Sequence, residues 1–266
     1  MKQFRVLSLG AGVQSTTLFL LSARGELPPL DAAIFADTGY EPAAVYRHLA
    51  WLEAVADIPI SRVQRGNIRE DTLTAQRVAG GGHWASMPFF VRGPADELGQ
   101  IMRQCTDEYK LIPIRKQVRA LCGIAPGAPA RDIHVEQWIG ISADELRRVR
   151  QSRDYWITLR YPLIFDLSPA WNRSDCVAWL RREYPDHPVP RSACISCPFH
   201  SNAEWVAMRE CDPESWAEAV AFDRAIRQLE GMRGRTYLHA SRVPLDEAPI
   251  DNPDQGSLFN CGVCDT

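Results

Sequence analysis

Phe4-Arg5-Val6-Leu7-Ser8-Leu9 runs directly into Gly10-Ala11-Gly12-Val13-Gln14-Ser15-Thr16-Thr17. The first six residues form a short β-prone run. From Ser15 to Ala23 the chain is dense in Leu, Phe and Thr with no turn signal, which suits a buried helix. A loop of small residues between a strand and a helix lets the backbone approach a phosphate. The helix start adds unpaired N–H groups and a favourable dipole, and Ser15, Thr16 and Thr17 add hydroxyl donors. An ordinary tight βα turn would use the same residue types, so the surrounding segments have to separate the two readings.

Outward from this loop, Ala32 to Ala36 is a second β-prone run. Val45, Leu49, Leu52 and Ala56 fall on one apolar helical face, with Pro42 near the first turn, where its missing N–H does no harm. Ile58 to Val63 reads as a third strand. Strand–helix–strand–helix–strand at this spacing requires right-handed βαβ units and a parallel sheet. Residues 64–95, with Gly80-Gly81-Gly82 and little periodicity, are expected to be a mobile loop or lid, and roughly 96–121 a cation-rich helical stretch. His134 to Ile141 is a fourth strand and Trp156 to Leu159 a fifth. Helices follow near 170–184, 202–210 and 214–230, the last with Ala219, Phe222, Ile226 and Leu229 on its inner face. From Val243 onward Pro, Asp and Gly dominate and little order is expected. The expected class is α/β, a Rossmann-like parallel sheet flanked by helices. Residues 1–165 would be a nucleotide-binding domain, and 166–266 a helical, cysteine-bearing region packed on it as one unit.

Composition bounds the function. A hydrophobic share of 45% with 24% charged residues excludes collagen-like, coiled-coil and wholly disordered chains. At 266 residues the chain can bury a core without metal or disulfides. Thirty Lys+Arg against 33 Asp+Glu give a formal charge of −3, so no global basic field marks a nucleic-acid binder, although local patches remain open. The opening residues turn into a Gly-rich loop where a signal peptide would place its cleavage site. No run approaches the roughly 18 apolar residues of a membrane helix. No membrane partner and a cytoplasmic location are expected, where thiols stay reduced. The eight cysteines then need a purpose other than disulfides.

Two common nucleotide loops fail on detail. A dinucleotide fingerprint wants a third glycine where Ser15 stands, and a Walker loop wants a lysine that is missing. Gly10–Thr16 resembles instead the PP-loop, S-G-G-x-D-S-[ST], with Gly10 for the leading Ser, Ala11 for the first Gly and Gln14 for the Asp. Phe35-Ala36-Asp37-Thr38-Gly39-Tyr40-Glu41-Pro42 is similar to the "DTG" segment of the PAPS reductase-like branch, and Gly140-Ile141-Ser142-Ala143-Asp144-Glu145-Leu146-Arg147-Arg148 to a third segment of it. Tyr161-Pro162-Leu163 and Trp171 are weaker echoes. Over roughly residues 4–200 the chain therefore resembles the PAPS reductase-like, PP-loop ATP-pyrophosphatase (adenine nucleotide alpha-hydrolase) superfamily. The resemblance implies ATP or a related adenylate with Mg²⁺. Gly10, Ala11, Gly12, Gln14, Ser15 and Thr16 would hold phosphates, and Asp37, Thr38 and Gly39 the nucleoside. Both loops would face one site beyond the strand ends. A turn or N-cap aspartate is the alternative for Asp37.

Cys194-Ile195-Ser196-Cys197-Pro198 and Cys261-Gly262-Val263-Cys264 are C-x-x-C pairs, and Cys105 stands upstream. Thiolates in this pattern suit zinc or an iron–sulfur cluster, although the two pairs lie farther apart than in common zinc ribbons. Iron–sulfur members of the superfamily, tRNA thiolation enzymes among them, join one cysteine to a C-x-x-C. The resemblance thus implies a [4Fe-4S] cluster on Cys105, Cys194 and Cys197, with Zn²⁺ second. Sulfonucleotide reductases end in E-C-G-[IL]-H; here Asn260 and Cys264 replace the Glu and His, leaving Cys261 as the candidate nucleophile. Cys261 and Cys264 are otherwise a fourth ligand, a redox pair or a flexible end. Cys122, Cys176 and Cys211 read as small buried hydrophobes.

Arg103, Lys110, Arg115, Lys116 and Arg119 form one cationic group, and Arg147, Arg148, Arg150 and Arg153 another. Positioned cations stabilise the charge that develops on an oligophosphate leaving group, and Arg148 and Lys110 are the catalytic candidates. Solvated helix faces, or contacts to nucleic-acid phosphates, would use the same residues. None of the six histidines forms a metal motif. His200 near the cysteines suits a cap, and His83 and Trp84 a loop packing contact. The expected activity is ATP pyrophosphatase chemistry, adenylating a small-molecule or nucleic-acid acceptor for iron–sulfur-dependent sulfur transfer. Sulfonucleotide reduction with a thioredoxin-like reductant, and a non-catalytic zinc or nucleotide-binding module, are the alternatives.

Overall fold

The computed structural model describes residues 2–74, 87–229 and 232–252. In chain order the first elements are β1 (Lys2–Leu9), α1 (Val13–Ala23), β2 (Ala32–Asp37), α2 (Ala43–Val55), β3 (Ile60–Gln64) and α3 (Ile68–Thr74). Next come β4 (Phe90–Arg92), β5 (Leu98–Gln100), a π-helical turn (Asp107–Leu111), α4 (Ile112–Leu121) and β6 (Ile133–Ile139). Then follow β7 (Ile157–Arg160), α5 (Pro162–Phe165), α6 (Arg173–Glu183), α7 (Asn202–Cys211), α8 (Pro213–Ala225) and β8 (Arg235–Tyr237).

The chain divides into two compact units, each discontinuous in sequence. Unit 1 takes Met1–Asp37, Ala43–Arg65 and Lys110–Ser192. Unit 2 takes Thr38–Pro42, Gly66–Tyr109 and Ala193–Thr266. This division does not run at residue 165: α6 lies in unit 1, and the chain around residues 66–109 lies in unit 2.

Unit 1 is built on a five-stranded parallel sheet in the order β3-β2-β1-β6-β7. The order reverses at β1, whose Val6 is level with Ala32 of β2 and Gln137 of β6. Side chains alternate across a strand, and both faces of the sheet are covered, so β2 reads as apolar from Ala32 to Ala36. Leu7, Leu9, Ala33, Phe35 and Trp138 face α1, α2 and α6, which add Leu18, Leu49 and Trp179 to that core. Val6, Ile34, Ala36 and Val135 point the other way, onto Ile114 and Val118 of α4. α1 is buried almost all round, from Ser15 to Ser22, as expected of a helix between a sheet and α6. α6 starts on a capping box, with the Asn172 side chain accepting from the Asp175 N–H and Asp175 answering.

Unit 2 carries a three-stranded antiparallel sheet in the order β5-β4-β8. Its core joins Tyr40, Phe89, Tyr109, Trp205, Phe222 and Leu238. α7 begins on a Ser201/Glu204 capping box, and α8 on the Asp212 side chain with Pro213 in its first turn. As expected, Ala219, Phe222 and Ile226 are buried there and Leu229 packs against them.

Two stretches differ from expectation. Residues 64–95 contain α3 and β4, and 75–86, with Gly80-Gly81-Gly82, His83 and Trp84, lie outside the described residues. The expected helix over 96–121 begins only at Asp107, because Leu98–Gln100 is drawn into the antiparallel sheet beside β4. Tertiary strand pairing overrides the local helical preference of that segment.

Candidate functional site

β1 ends at Leu9, and the next residues turn sharply before α1. Ala11 holds φ 57°, a left-handed conformation uncommon for a residue with a side chain, and its methyl is fully buried. Gly12 is the N-cap of α1, with extended backbone and no side chain capping the helix. The first turn carries no acidic residue. Thr16 N–H closes the first helical hydrogen bond onto Gly12 O at 2.9 Å. The earlier N–H groups of the turn stand at the positive end of the helix dipole, the arrangement that attracts an anion.

The loop is braced from within and from two neighbouring segments. Gly10 N–H donates to Ser15 Oγ at 3.1 Å, and that hydroxyl donates to Gly12 O at 3.2 Å. Ser192 donates its hydroxyl to Gly10 O. A Cβ on Gly12 would sit 2.9 Å from Ser192 Cβ, which is why position 12 bears no side chain. On the other flank, a Cβ on Gly140 would lie 2.9 Å from Ser15 N and 3.1 Å from its Cα. The loop after β6 thus presses its backbone onto the first turn of α1. Gln14 Nε2 donates to Ser142 Oγ at 3.3 Å and Glu145 Oε2 at 3.2 Å, and the other Glu145 oxygen is paired with the Arg148 guanidinium. Gln14, Ser15, Ser142, Glu145 and Arg148 therefore form one cluster where the strand order reverses, the place at which open α/β sheets take ligands.

Thr16 is fully buried and its hydroxyl lies 2.8 Å from His48 Nε2, so its side chain faces the helix interior and not the loop mouth. Asp37, the last residue of β2, accepts from the Tyr46 hydroxyl at 2.9 Å. Thr38 and Gly39 belong to unit 2, where the Thr38 hydroxyl reaches Glu41 at 3.0 Å and Cys194 Sγ at 3.4 Å. Gly39, at φ 71°, offers its carbonyl to Asn67 Nδ2. Lys110 is carried by the turn leading into α4, the helix on the opposite sheet face from α1. Arg115 pairs with Asp154, Arg119 donates to the carbonyls of Ala125 and Ala128, and Arg103 stacks over Phe199 at 5.5 Å.

Cys105 and Cys194 pack against the unit 2 core, and Cys197 N–H closes a tight turn onto Cys194 O at 3.1 Å. Among the described residues no group of three or more His, Cys, Asp or Glu side chains could hold a metal ion, and that covers Cys105, Cys194 and Cys197. Cys261 and Cys264 lie outside the described residues. His200 places Nε2 3.0 Å from Cys194 O and bolts that turn, the capping role expected of it. Burial pushes Cys176 up to about 12 and raises Cys122, so both are inert core thiols. Cys211 departs from expectation: it is exposed at the end of α7.

Sequence reasoning passed over Ser192, Ser142, Glu145 and His48 as site residues. Glu145 lies in a segment already singled out, so proximity to Arg148 pointed towards it. Ser192 carries no signal at all, because its role depends on a contact spanning 182 positions. Among the described residues no helix is long and apolar enough to cross a membrane. No family model matches the sequence, and no curated protein matches it. In three dimensions the chain is similar to the phosphoadenylyl-sulfate (PAPS) reductase of Candida auris, crystallised as a phosphate complex, at 12% identity and a TM-score of 0.41, over 72% of this chain and 75% of that one.

Proposed function

We propose that unit 1 binds ATP by its phosphates at the first turn of α1 and cleaves it between the α- and β-phosphates, transferring AMP to an acceptor oxygen. The observation that carries this reading is the uncapped start of α1, braced by Ser192 and Gly140 at the strand-order reversal. Backbone N–H groups there would hold the phosphates without rearrangement, which is how preorganised donors favour a transition state. The acceptor oxygen attacks the α-phosphorus, the bridging P–O bond breaks and pyrophosphate leaves. Arg148, exposed and held beside the loop through Glu145 and Gln14, would face the charge that grows on the leaving group. Mg²⁺ arriving with the phosphates would neutralise charge, and Asp37 and Glu145 are the carboxylates at these strand ends that could hold it. No sulfur-transfer step is assigned.

The test is release of AMP and pyrophosphate from Mg·ATP. The wild-type chain should form both. Ser15→Ala, which removes the two hydrogen bonds that the Ser15 hydroxyl makes within the loop, should slow release by about tenfold, the scale of one to two hydrogen bonds. No AMP from the wild type, or an unchanged Ser15→Ala rate, overturns the reading. The Cys261-Gly262 pair favours one second reading, reduction of phosphoadenylyl sulfate with a dithiol protein as reductant. Deleting residues 258–264 should then abolish sulfite release while leaving ATP cleavage intact.

A further inference from the structure

α2 presses a histidine onto α1 directly behind the loop. His48 is 1% exposed and engages both ring nitrogens: Nε2 lies 2.8 Å from Thr16 Oγ1 and Nδ1 lies 2.8 Å from His187 Nε2. His187, in the turn after α6, is partly exposed and stacks flat on Trp51, with centroids 3.7 Å apart and planes 8° apart. Thr16 faces this pair from α1, Trp51 from α2, and Tyr184 at the end of α6 meets Trp51 edge-on. Burial, with His187 itself as the second cause, lowers His48 to about 3, and burial alone lowers His187. No carboxylate, lysine or arginine contributes to either shift.

A count of protons fixes the direction of the chain. Two neutral imidazoles and one hydroxyl allow two arrangements. In the first, Thr16 O–H donates to His48 Nε2, His48 Nδ1–H donates to His187 Nε2, and His187 Nδ1–H faces outward. In the second every bond is reversed, and the Thr16 proton must find another acceptor inside the core. The nearest helical choice, Gly12 O, already accepts from Thr16 N–H and the Ser15 hydroxyl. The first arrangement therefore holds while both rings are neutral. When His187 takes a proton from water, both its nitrogens become donors. His48 must then accept at Nδ1 and carry its proton on Nε2, and Thr16 O–H loses its acceptor.

We propose that His48 and His187 are positioning residues of the nucleotide loop, holding the Thr16 hydroxyl away from Gly12 O so that the Gly10–Ser15 turn keeps its binding geometry, and releasing it when His187 is protonated. The binding consequence rests on the function proposed above; the proton chain does not.

Two measurements keep the failures apart. Nitrogen NMR of the ligand-free protein should show His48 neutral throughout, with its proton moving from Nδ1 to Nε2 as His187 titrates below its ordinary 6.5. Calorimetric titration with ATP should show affinity falling about fivefold across the same pH interval, the scale of one neutral hydrogen bond. His187→Gln, which accepts from His48 Nδ1–H and does not titrate, should abolish both transitions. A His48 tautomer that stays fixed while His187 titrates overturns the inference, as does an ATP profile that His187→Gln leaves unaltered. If the tautomer moves but ATP binds at no pH, the proton chain stands and the nucleotide reading falls.

Discussion

Gly140 is where a single atom decides the most. An added methyl would meet Ser15 N at 2.9 Å and Ser15 Cα at 3.1 Å, and backbone at a braced turn cannot yield as a flexible side chain would. Gly140→Ala should cost about 2 kcal/mol in urea unfolding, the range for overpacking, and should lower ATP affinity. His48 marks a second residue-scale effect. Its folded value of about 3 lies below the ordinary 6.5, so the unfolded chain binds a proton that the folded chain refuses. Its stabilising contribution is complete above about pH 6.5 and is lost as pH falls toward 3. Between pH 6 and pH 4.5 this one group should remove about 2 kcal/mol, at roughly 1.4 kcal/mol per pH unit. Urea unfolding at the two pH values should show that loss, and His48→Gln should flatten it.

Elements are joined by a few buried groups. Asp223 on α8 is fully buried, pairs with Arg227, and accepts from Leu238 N at 2.8 Å and Leu245 N at 3.1 Å. One carboxylate thereby ties α8, the chain after β8 and the turn at Leu245 within unit 2. Removing it leaves the buried amide donors of Leu238 and Leu245 unsatisfied and strips the half-buried Arg227 guanidinium of its carboxylate, leaving it only the Thr236 carbonyl among these bonds. Asp223→Ala should destabilise by about 3–5 kcal/mol, seen as a lower denaturation midpoint. The helices near 170–184, 202–210 and 214–230 were legible as ranges, and the structure starts them on the side chains of Asn172, Ser201 and Asp212. The strand Leu98–Gln100 was not, because three residues with no alternating pattern become a strand only when a partner supplies the hydrogen bonds.

On the scale of the whole molecule, α6 completes unit 1: Cys176, Trp179 and Leu180 close the core over α1. A fragment of residues 1–165 should therefore fail to fold, with no dispersed amide spectrum, while residues 1–192 supply every helix of that core. The α/β class, the parallel strands and the β1–α1 loop could be read from residues in order, since periodicity and turn chemistry are properties of neighbours. So could the nearness of Arg148 to the loop after β6. Three things required the folded chain: the bond from Ser192 to Gly10, the clasp from Gln14 to Glu145, and the Thr16–His48–His187 chain. Each joins residues that sequence separates widely, and a hydrogen bond depends on distances of a few tenths of an ångström that no spacing of residue types encodes.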